Sequence, residues 1–324
     1  MMMSKFTWRF LGKLLDVGSL KTRPYWFNSH AQAPNVVVFD SFFRVYFASR
    51  SPIDAKKQFV SFINFADFSG PNPNQLIRLA SEPVLDLGEA GTFDQHGTYP
   101  MSVIREPERL VGVYGGWSRP TTVPFDVSLG LAFSVDGEKF SKYGSGPILT
   151  KSIDEPFVIA SPKLRKFKDR YFLTYTAGRE WTIENNRAEI FYRIRSAESL
   201  DLFSWKLHNR DLISTKVGDT EAQASPDIFE NESGYHMFFC YRHHVGFREN
   251  LDLAYKIGYA FSENLLSWTR NDTMVEILNP LGKINNKSCS YPNIFRFNSQ
   301  TYLLYLGEDL GRTGFFIAEL EEKC

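Results

Sequence analysis

Three acidic residues sit in short segments that each lead into an apolar run: Asp94 in GTFDQHGTYP, Glu155 in DEPFVIASP and Glu221 in GDTEAQASPDIF. Two carboxylates flanking one bond are the usual means of cleaving a glycosidic linkage, one protonating the departing oxygen while the other activates water or attacks carbon. Asp94 and Glu221 are the preferred acid/base pair on this reading, with Glu155 in reserve. Arg50 and Arg242 close the runs RVYFASR and HMFFCYR, and two guanidiniums at equivalent places suit an anionic group such as a phosphate, a nucleotide sugar or an acidic sugar. His30, Gln32, His96, Gln223, Tyr291 and Arg312 add polar ligands, and Trp117 or Trp181 offers a face on which a sugar ring stacks. Each also has a plainer reading: an aspartate in a glycine-flanked turn bonds its own backbone, and a lone histidine is often a satisfied hydrogen-bonding residue. The adjacent His243 and His244 point to opposite faces of a strand, so only one of them can enter a common cavity. No HExxH, Walker-type or dinucleotide motif is present, so no metal or cofactor is inferred.

The elements that must position these groups follow from five prolines. Pro34, Pro100, Pro162, Pro226 and Pro292 each stand just ahead of an apolar, aromatic run, at successive intervals of 66, 62, 64 and 66 residues. Each proline opens a short strand, a turn and a second aromatic strand, as in PNVVVFDSFFRVYFAS and PNIFRFNSQTYLLYLGE. A third strand follows (SLGLAFS, FYRIRSA, YKIGYAFS, GFFIAEL), then a fourth segment that often carries tryptophan, as in FSWKL and LSWTR. Four strands per unit is the anatomy of a propeller blade. The fifth unit has three strands before Cys324, and FTWRFLGKLL, with the tryptophan-then-basic look of Trp268-Thr269-Arg270, supplies the fourth. The expectation is an all-β, single-domain, five-bladed β-propeller over residues 1–324, its ring closed by residues 5–15 so that no edge stays open. With each blade starting at its proline on the inside, the segments before the prolines and the ends of the second strands converge on one mouth of the central channel. Asp94 and Glu221 are then expected to face one another across part of it.

Composition narrows the partners. Lys+Arg and Asp+Glu are equal at 37 of 324 residues, so no overall field draws the chain to nucleic acid or an anionic membrane. An aromatic content of 15%, with 29 Phe and 15 Tyr, suits sheets packed on both faces. Arg9, Lys13 and Asp16 interrupt the only apolar stretch near the start, which argues for a cytoplasmic protein without membrane insertion. Cys240, Cys289 and Cys324 fit neither a zinc site nor a disulfide framework.

The segments AQAPNVVVFDSFFRVYFASR, GTFDQHGTYPMSVI, EPFVIASPKLR, EAQASPDIF, YHMFFCYR and SYPNIF together resemble a bacterial family described as glycosyl hydrolase-like, often encoded among genes for lipopolysaccharide or capsule assembly. More distantly the chain is similar to the five-bladed superfamily of arabinanases, invertases, levansucrases and mannoside phosphorylases. That resemblance implies a carbohydrate-active enzyme acting on a glycosyl bond in surface-polysaccharide synthesis or trimming, with a carbohydrate or sugar-phosphate substrate and polysaccharide-assembly partners. Hydrolytic relatives carry an Asp directly before the first-blade proline and a Glu directly or one residue before the fourth-blade proline; here those places hold Ala33 and Ala224-Ser225. An acid before the fifth-blade Ser-Tyr-Pro is also replaced, in NNKSCSYP, where Lys287 stands nearby. Phosphorolysis, transfer from an activated sugar, and glycan binding without catalysis therefore stand beside hydrolysis.

Overall fold

The computed structural model describes residues 5–283 and 288–321, so Lys287 and Cys324 lie outside it. Five sheets follow one another along the chain, and apart from three single 3-10 turns every regular element is a strand. Blade 1 runs Ser29–Val38, Phe43–Arg50, Ser61–Phe68 and Leu76–Leu79; blade 2 runs Thr98–Arg105, Leu110–Ser118, Asp126–Ser134 and Ser141–Lys142. Blade 3 comprises Ile159–Phe167, Arg170–Glu184, Arg187–Ser199 and Lys206–Leu207, and blade 4 comprises Ala222–Asn231, Gly234–Arg242, Lys256–Ser262 and Thr269–Arg270. Blade 5 has Ser290–Phe297, Gln300–Leu306 and Gly314–Leu320, then Phe6–Asp16 antiparallel to the last of these, with Trp8 opposite Leu320 and Asp16 opposite Gly314. The first strands of successive blades touch in cyclic order, which places them round the axis. The chain is a five-bladed propeller, closed as expected by its N-terminal strand.

One strand departs from the expected four per blade. After blade 4 the chain crosses to its neighbour, where Val275–Ile277 pairs in parallel with Phe6–Trp8. The closing strand is thereby covered along its outer edge, where open backbone groups would otherwise invite another chain.

Aromatic residues fill the spaces between blades. Between blades 5 and 1, Phe43 packs on Phe295 at 4.9 Å and on Phe297 at 5.2 Å between ring centroids, with Phe27, Phe47 and Phe315 buried beside them. Each such side chain contributes roughly 1.5–3 kcal/mol by leaving water. The turn from third to fourth strand is built the same way in three blades. Ser134, Ser199 and Ser262 are followed two residues later by Asp136, Asp201 and Asn264, whose side chains accept backbone N–H groups of Glu138, Phe203 and Leu266 at 2.8–2.9 Å. The next residue, Gly137, Leu202 or Leu265, is left-handed in each, with φ between 65° and 75°.

Near the axis the apolar packing gives way to a closed set of polar links, one at every junction between blades. Leu164 N donates to Ser102 Oγ (3.0 Å), and Ser102 Oγ to Asn35 Oδ1 (3.1 Å). Val36 N donates to Asn293 Oδ1 (2.8 Å), while Asn293 Nδ2 and Ile294 N both donate to Asp227 Oδ2 (2.7 Å each). Arg165 pairs with Asp227 and completes the circuit. Asn35, Ser102, Asp227 and Asn293 are at most 1% exposed, so these bonds form where water cannot replace them.

The residue before the proline is bent in every blade. Ala33, Ser161, Ser225 and Tyr291 are left-handed, with φ of 49–54°, and Tyr99-Pro100 is a cis peptide. The pairing register of the first strand slips at each of these points, as in a β-bulge. Non-glycine residues held in this region cost about 1–3 kcal/mol each. What the bend achieves is to turn prolines 34, 100, 162 and 292 inward, so that they line a narrow axial cavity.

Candidate functional site

Eight of the expected residues come together above that cavity or at its rim. Gln32, 5% exposed, bridges blades 1 and 5 by donating to Leu310 O (2.6 Å) and accepting from Arg50 Nη2 (2.9 Å). The Arg50 guanidinium lies over the Phe59 ring, 4.2 Å from its centroid, and its Nε is buried without a hydrogen-bond partner. Burial lowers its pKa, with nearby Tyr99 and Tyr291 opposing and Arg248 adding to the decrease. His30, left-handed at φ 66°, meets Ser29 Oγ through Nδ1 (2.8 Å). Burial, then the charges of Arg50 and Arg312, depress it to about 4, so it is neutral at pH 7. Tyr291 and Tyr99 are hydrogen-bonded through their side chains, and Trp117 stacks on Tyr99 at 5.6 Å while donating its Nε1–H to the Tyr99 carbonyl. His96 follows at the edge; its N–H bonds Trp117 O (3.0 Å) and its Nδ1 is buried without a partner. The aromatic line continues outward through Phe125 to the half-buried Trp181, at 4.6 and 5.1 Å between successive rings. Arg312, at the rim, is exposed.

Four groups at this mouth were not singled out by sequence. Arg248, held by Glu189 at 2.7 and 3.2 Å, lies close enough to Arg50 to lower its pKa. Tyr192 and Tyr255 share a 2.5 Å hydroxyl contact, and Tyr255 packs 6.5 Å from Tyr291. Asp309 caps its own turn, accepting Gly311 N (3.0 Å) and Thr313 N (2.9 Å), and is the carboxylate that partly offsets the arginines at His30. Desolvation raises the phenol pKa of Tyr99, Tyr255 and Tyr291, so all three are neutral hydroxyls at pH 7.

The three expected catalytic carboxylates are placed otherwise. Asp94, Glu155 and Glu221 are buried to 1%, 0% and 1% exposure, and each is satisfied within its own blade rather than facing another across the channel. Asp94 accepts from Thr92 Oγ1 (2.9 Å), Tyr114 OH (2.9 Å) and Lys142 Nζ (2.6 Å). Glu155 accepts from Tyr175 OH (2.9 Å) and Arg195 Nη1 (3.0 Å). Glu221 takes Lys216 N, Val217 N, Gln223 Nε2 and Arg270 Nη1 at 2.7–3.0 Å. The segment before each first strand folds back over its own sheet, where a buried tyrosine or cation needs an acceptor. Gln223 is likewise turned inward, donating to Ile213 O, Ser214 O and Glu221. Arg242, 3% exposed, donates to the carbonyls of His243, His244 and Ile190 and lies 3.7 Å over Phe247, so it ties blade 4 to blade 3 instead of pairing with Arg50. Glu155→Gln is expected to lower stability by about 1–3 kcal/mol, since Arg195 loses its buried counter-charge and keeps only the partly exposed Asp211. Urea unfolding would show this; an unchanged midpoint would count against a bracing role.

Acid should weaken the fold through two histidines. His236, 1% exposed between Tyr259 OH and Asn231 Oδ1 (2.8 Å each), is depressed by burial to about 4, like His30. A depressed folded-state pKa means that the unfolded chain binds more protons between about 6.5 and 4. Their contribution is complete above pH 6.5 and is lost as pH falls toward 4. His236→Gln should therefore reduce the pH slope of the urea midpoint in that window by about one proton; an unaltered slope would show that His236 titrates normally.

No protein-family model matches the chain. It is 28% identical over 318 residues to an uncharacterized protein of Mycobacterium tuberculosis, covering 97% of this chain and 99% of the other. It is 25% identical over 163 residues to a β-1,2-mannobiose phosphorylase of Thermoanaerobacter sp., over 44% of this chain and 51% of that protein. Solved structures of similar shape include a glycoside hydrolase (TM-score 0.71, 15% identity, 99% of this chain and 93% of the other). They also include a structure from work on GH130 mannoside phosphorylases and glycoside hydrolases that target β-1,2 mannosidic linkages in Candida mannan (TM-score 0.69, 14% identity, 98% and 94%). The chain therefore has the fold of the glycoside hydrolase-like five-bladed propellers.

Proposed function

We propose that the chain is a carbohydrate-active enzyme that works on a glycosyl bond at the axial mouth and engages an anionic group there, so that its chemistry is phosphorolysis or transfer from an activated sugar. The observation that carries this reading is Arg50: a partly desolvated guanidinium that no carboxylate pairs with among the described residues, beside Arg248 and Arg312, in a cup of tyrosine hydroxyls and the Trp117 ring. A sugar phosphate meets such a surface with its charge on the arginines, its hydroxyls on the phenols and amides, and a ring face on the indole. The likeness to a mannobiose phosphorylase and to mannoside-active propellers supports the same substrate class. In phosphorolysis an oxygen of hydrogen phosphate bonds the anomeric carbon as the bond to the glycosidic oxygen breaks, and the proton that the phosphate brings ends on that leaving oxygen, giving a sugar 1-phosphate and a free hydroxyl; the attacking group is the anion itself. A carboxylate to activate water is not needed. Activated sugars are made inside cells, so a cytoplasmic role in surface-polysaccharide synthesis or trimming, with assembly proteins as partners, goes with this reading.

Glycan recognition without turnover is the second reading, favoured by the engagement of Asp94, Glu155 and Glu221 within their blades. Incubation with manno-oligosaccharides and inorganic phosphate, and with nucleotide sugars and acceptors, separates the two. Sugar 1-phosphate or an extended glycan establishes the enzyme. Binding by calorimetry with neither product in either mixture establishes the recognition module.

A further inference from the structure

The equal totals of acids and bases conceal one local excess. Two segments flank blade 1 beside Arg50: residues 20–28, which lead into its first strand, and residues 51–60, which join its second strand to its third. Both meet the end of the second strand, since Asn28 N donates to Arg50 O (2.9 Å) and the Arg50 guanidinium lies over Phe59. Together they carry Lys21, Arg23, Lys56 and Lys57, all exposed, against a single acid, Asp54. That acid is already engaged. Its carboxylate accepts the backbone N–H of Lys56 (2.9 Å) and Gln58 (2.8 Å), and its charge acts on Arg119 of blade 2.

Among these cations stand two side chains that water disfavours: Tyr25 is 83% exposed and Ile53 67%. The backbone imposes their exposure. Phe27 N donates to Pro24 O (2.9 Å), closing a turn that sends Phe27 into the core and lays Trp26 against Phe62, so that Tyr25 is left outside. The second loop is closed by Ser51 N to Val60 O (2.9 Å) and Asp54 N to Gln58 O (2.8 Å), and Arg119 ties it to blade 2 through Gln58 Oε1 (2.7 Å). Pro52 borders one surface hollow with Lys21, Arg23 and Tyr25, so the two loops form a continuous surface.

We propose that this surface seats on an anionic lipid bilayer, with the four cations among the headgroups and Tyr25 and Ile53 in the interfacial layer. A tyrosine suits that layer because its ring is apolar and its hydroxyl polar. Lysine and arginine are each drawn to a negatively charged leaflet when within about a Debye length of it. A soluble polyanion would use the cations and leave Ile53 in water. The contact is peripheral, since no helix among the described residues is long and apolar enough to cross a membrane. It lies next to the mouth, and it stands whether the protein is an enzyme or a recognition module.

Flotation of the whole protein with vesicles tests it, using phosphatidylcholine alone and phosphatidylcholine mixed with phosphatidylglycerol. The protein should float with the mixed vesicles and not with the neutral ones, and added salt should release it. At about fivefold in affinity per charge, Lys56→Gln with Lys57→Gln should weaken binding roughly 30-fold. Tyr25→Ser with Ile53→Ser should weaken it about 10-fold or more although every cation remains. All four positions are exposed, so both double variants should melt with the wild type, which separates lost binding from lost folding. Failure of the wild type to bind the mixed vesicles overturns the proposal. Binding that survives the loss of both lysines overturns it by placing the contact elsewhere. Binding lost with the lysines but untouched by the Tyr25 and Ile53 changes overturns it by showing that the surface recognises a polyanion and not a bilayer.

Discussion

Replacing Arg50 by methionine should weaken binding of inorganic phosphate or a sugar phosphate about 10- to 100-fold, the effect of removing roughly 1.5–3 kcal/mol of hydrogen bonding to a charged group. Methionine keeps an unbranched apolar side chain of similar length beside Phe59, over which the guanidinium lies, so the loss reports the guanidinium and not a collapse of the mouth. The circumstances favour a large effect. Arg50 is partly desolvated, its Nη2 is fixed by Gln32, and no carboxylate pairs with its guanidinium among the described residues. Neutral oligosaccharides should lose much less affinity, because their contacts are with the phenols, amides and indole. The same substitution carries an internal control in His30, which Arg50 helps to depress. Its pKa, followed by NMR, should rise toward the ordinary value of about 6.5. Unaltered phosphate affinity together with a raised His30 pKa would show that the guanidinium is gone from its place and that no anion uses it, and the anionic-substrate reading would fall.

The second large effect is expected at Asp227→Ala. One carboxylate there takes Arg165, the side chain of Asn293 and the backbone N–H of Ile294, joining blades 3, 4 and 5 at once. Breaking a buried ion pair by removing one partner typically costs 3–5 kcal/mol, and here two further donors are stranded. Against a total stability of about 5–15 kcal/mol for a folded domain, that is enough to bring unfolding close to working temperature. Asp227→Asn, which keeps an acceptor oxygen but not the charge, should fall between. Urea denaturation ranks the three proteins. A loss below about 1 kcal/mol for the alanine variant would mean that the polar circuit adds little beyond the aromatic packing between blades.

How far the sequence could be read depended on the range of the interactions involved. The blades were legible because a proline, two short alternating strands and a turn are local signals, repeated five times at nearly constant spacing. The closing strand was legible because FTWRFL had a gap to fill in the fifth blade. Val275–Ile277 was missed since three residues carry no periodicity, and their partner lies nearly the whole chain away. His30, Gln32, Arg50, Tyr291 and Trp117 were placed by strand direction alone, and they do converge. The places of Asp94, Glu155 and Glu221 are not legible in the same way, because strand direction alone predicts approach segments that run straight into the channel, whereas these fold back over their sheets. A signal existed. Tyr114 and Tyr175 lie mid-strand in apolar runs, where a buried phenol needs an acceptor, and each finds it in the acid 20 residues before it, Asp94 and Glu155. Arg242 shows the opposite limit: that three backbone carbonyls converge on it depends on loop geometry with no pattern in the chain.

The clasp between Phe6–Asp16 and Gly314–Leu320 also constrains how the protein comes into being. On a ribosome the first of these segments is made early, and the strand it must pair with emerges some three hundred residues later. At about 5–20 residues per second the early segment waits on the order of 15–60 s with its backbone unpaired and Trp8 without its eventual packing partners. The earlier blades can gather in order as they appear, each resting on its predecessor, but the circle stays open until Gly314–Leu320 has emerged. A chaperone that shields short aromatic segments would have its task at this one place. A circularly permuted gene that opens the chain at an exposed turn, and joins the present ends by a linker, would remove the wait.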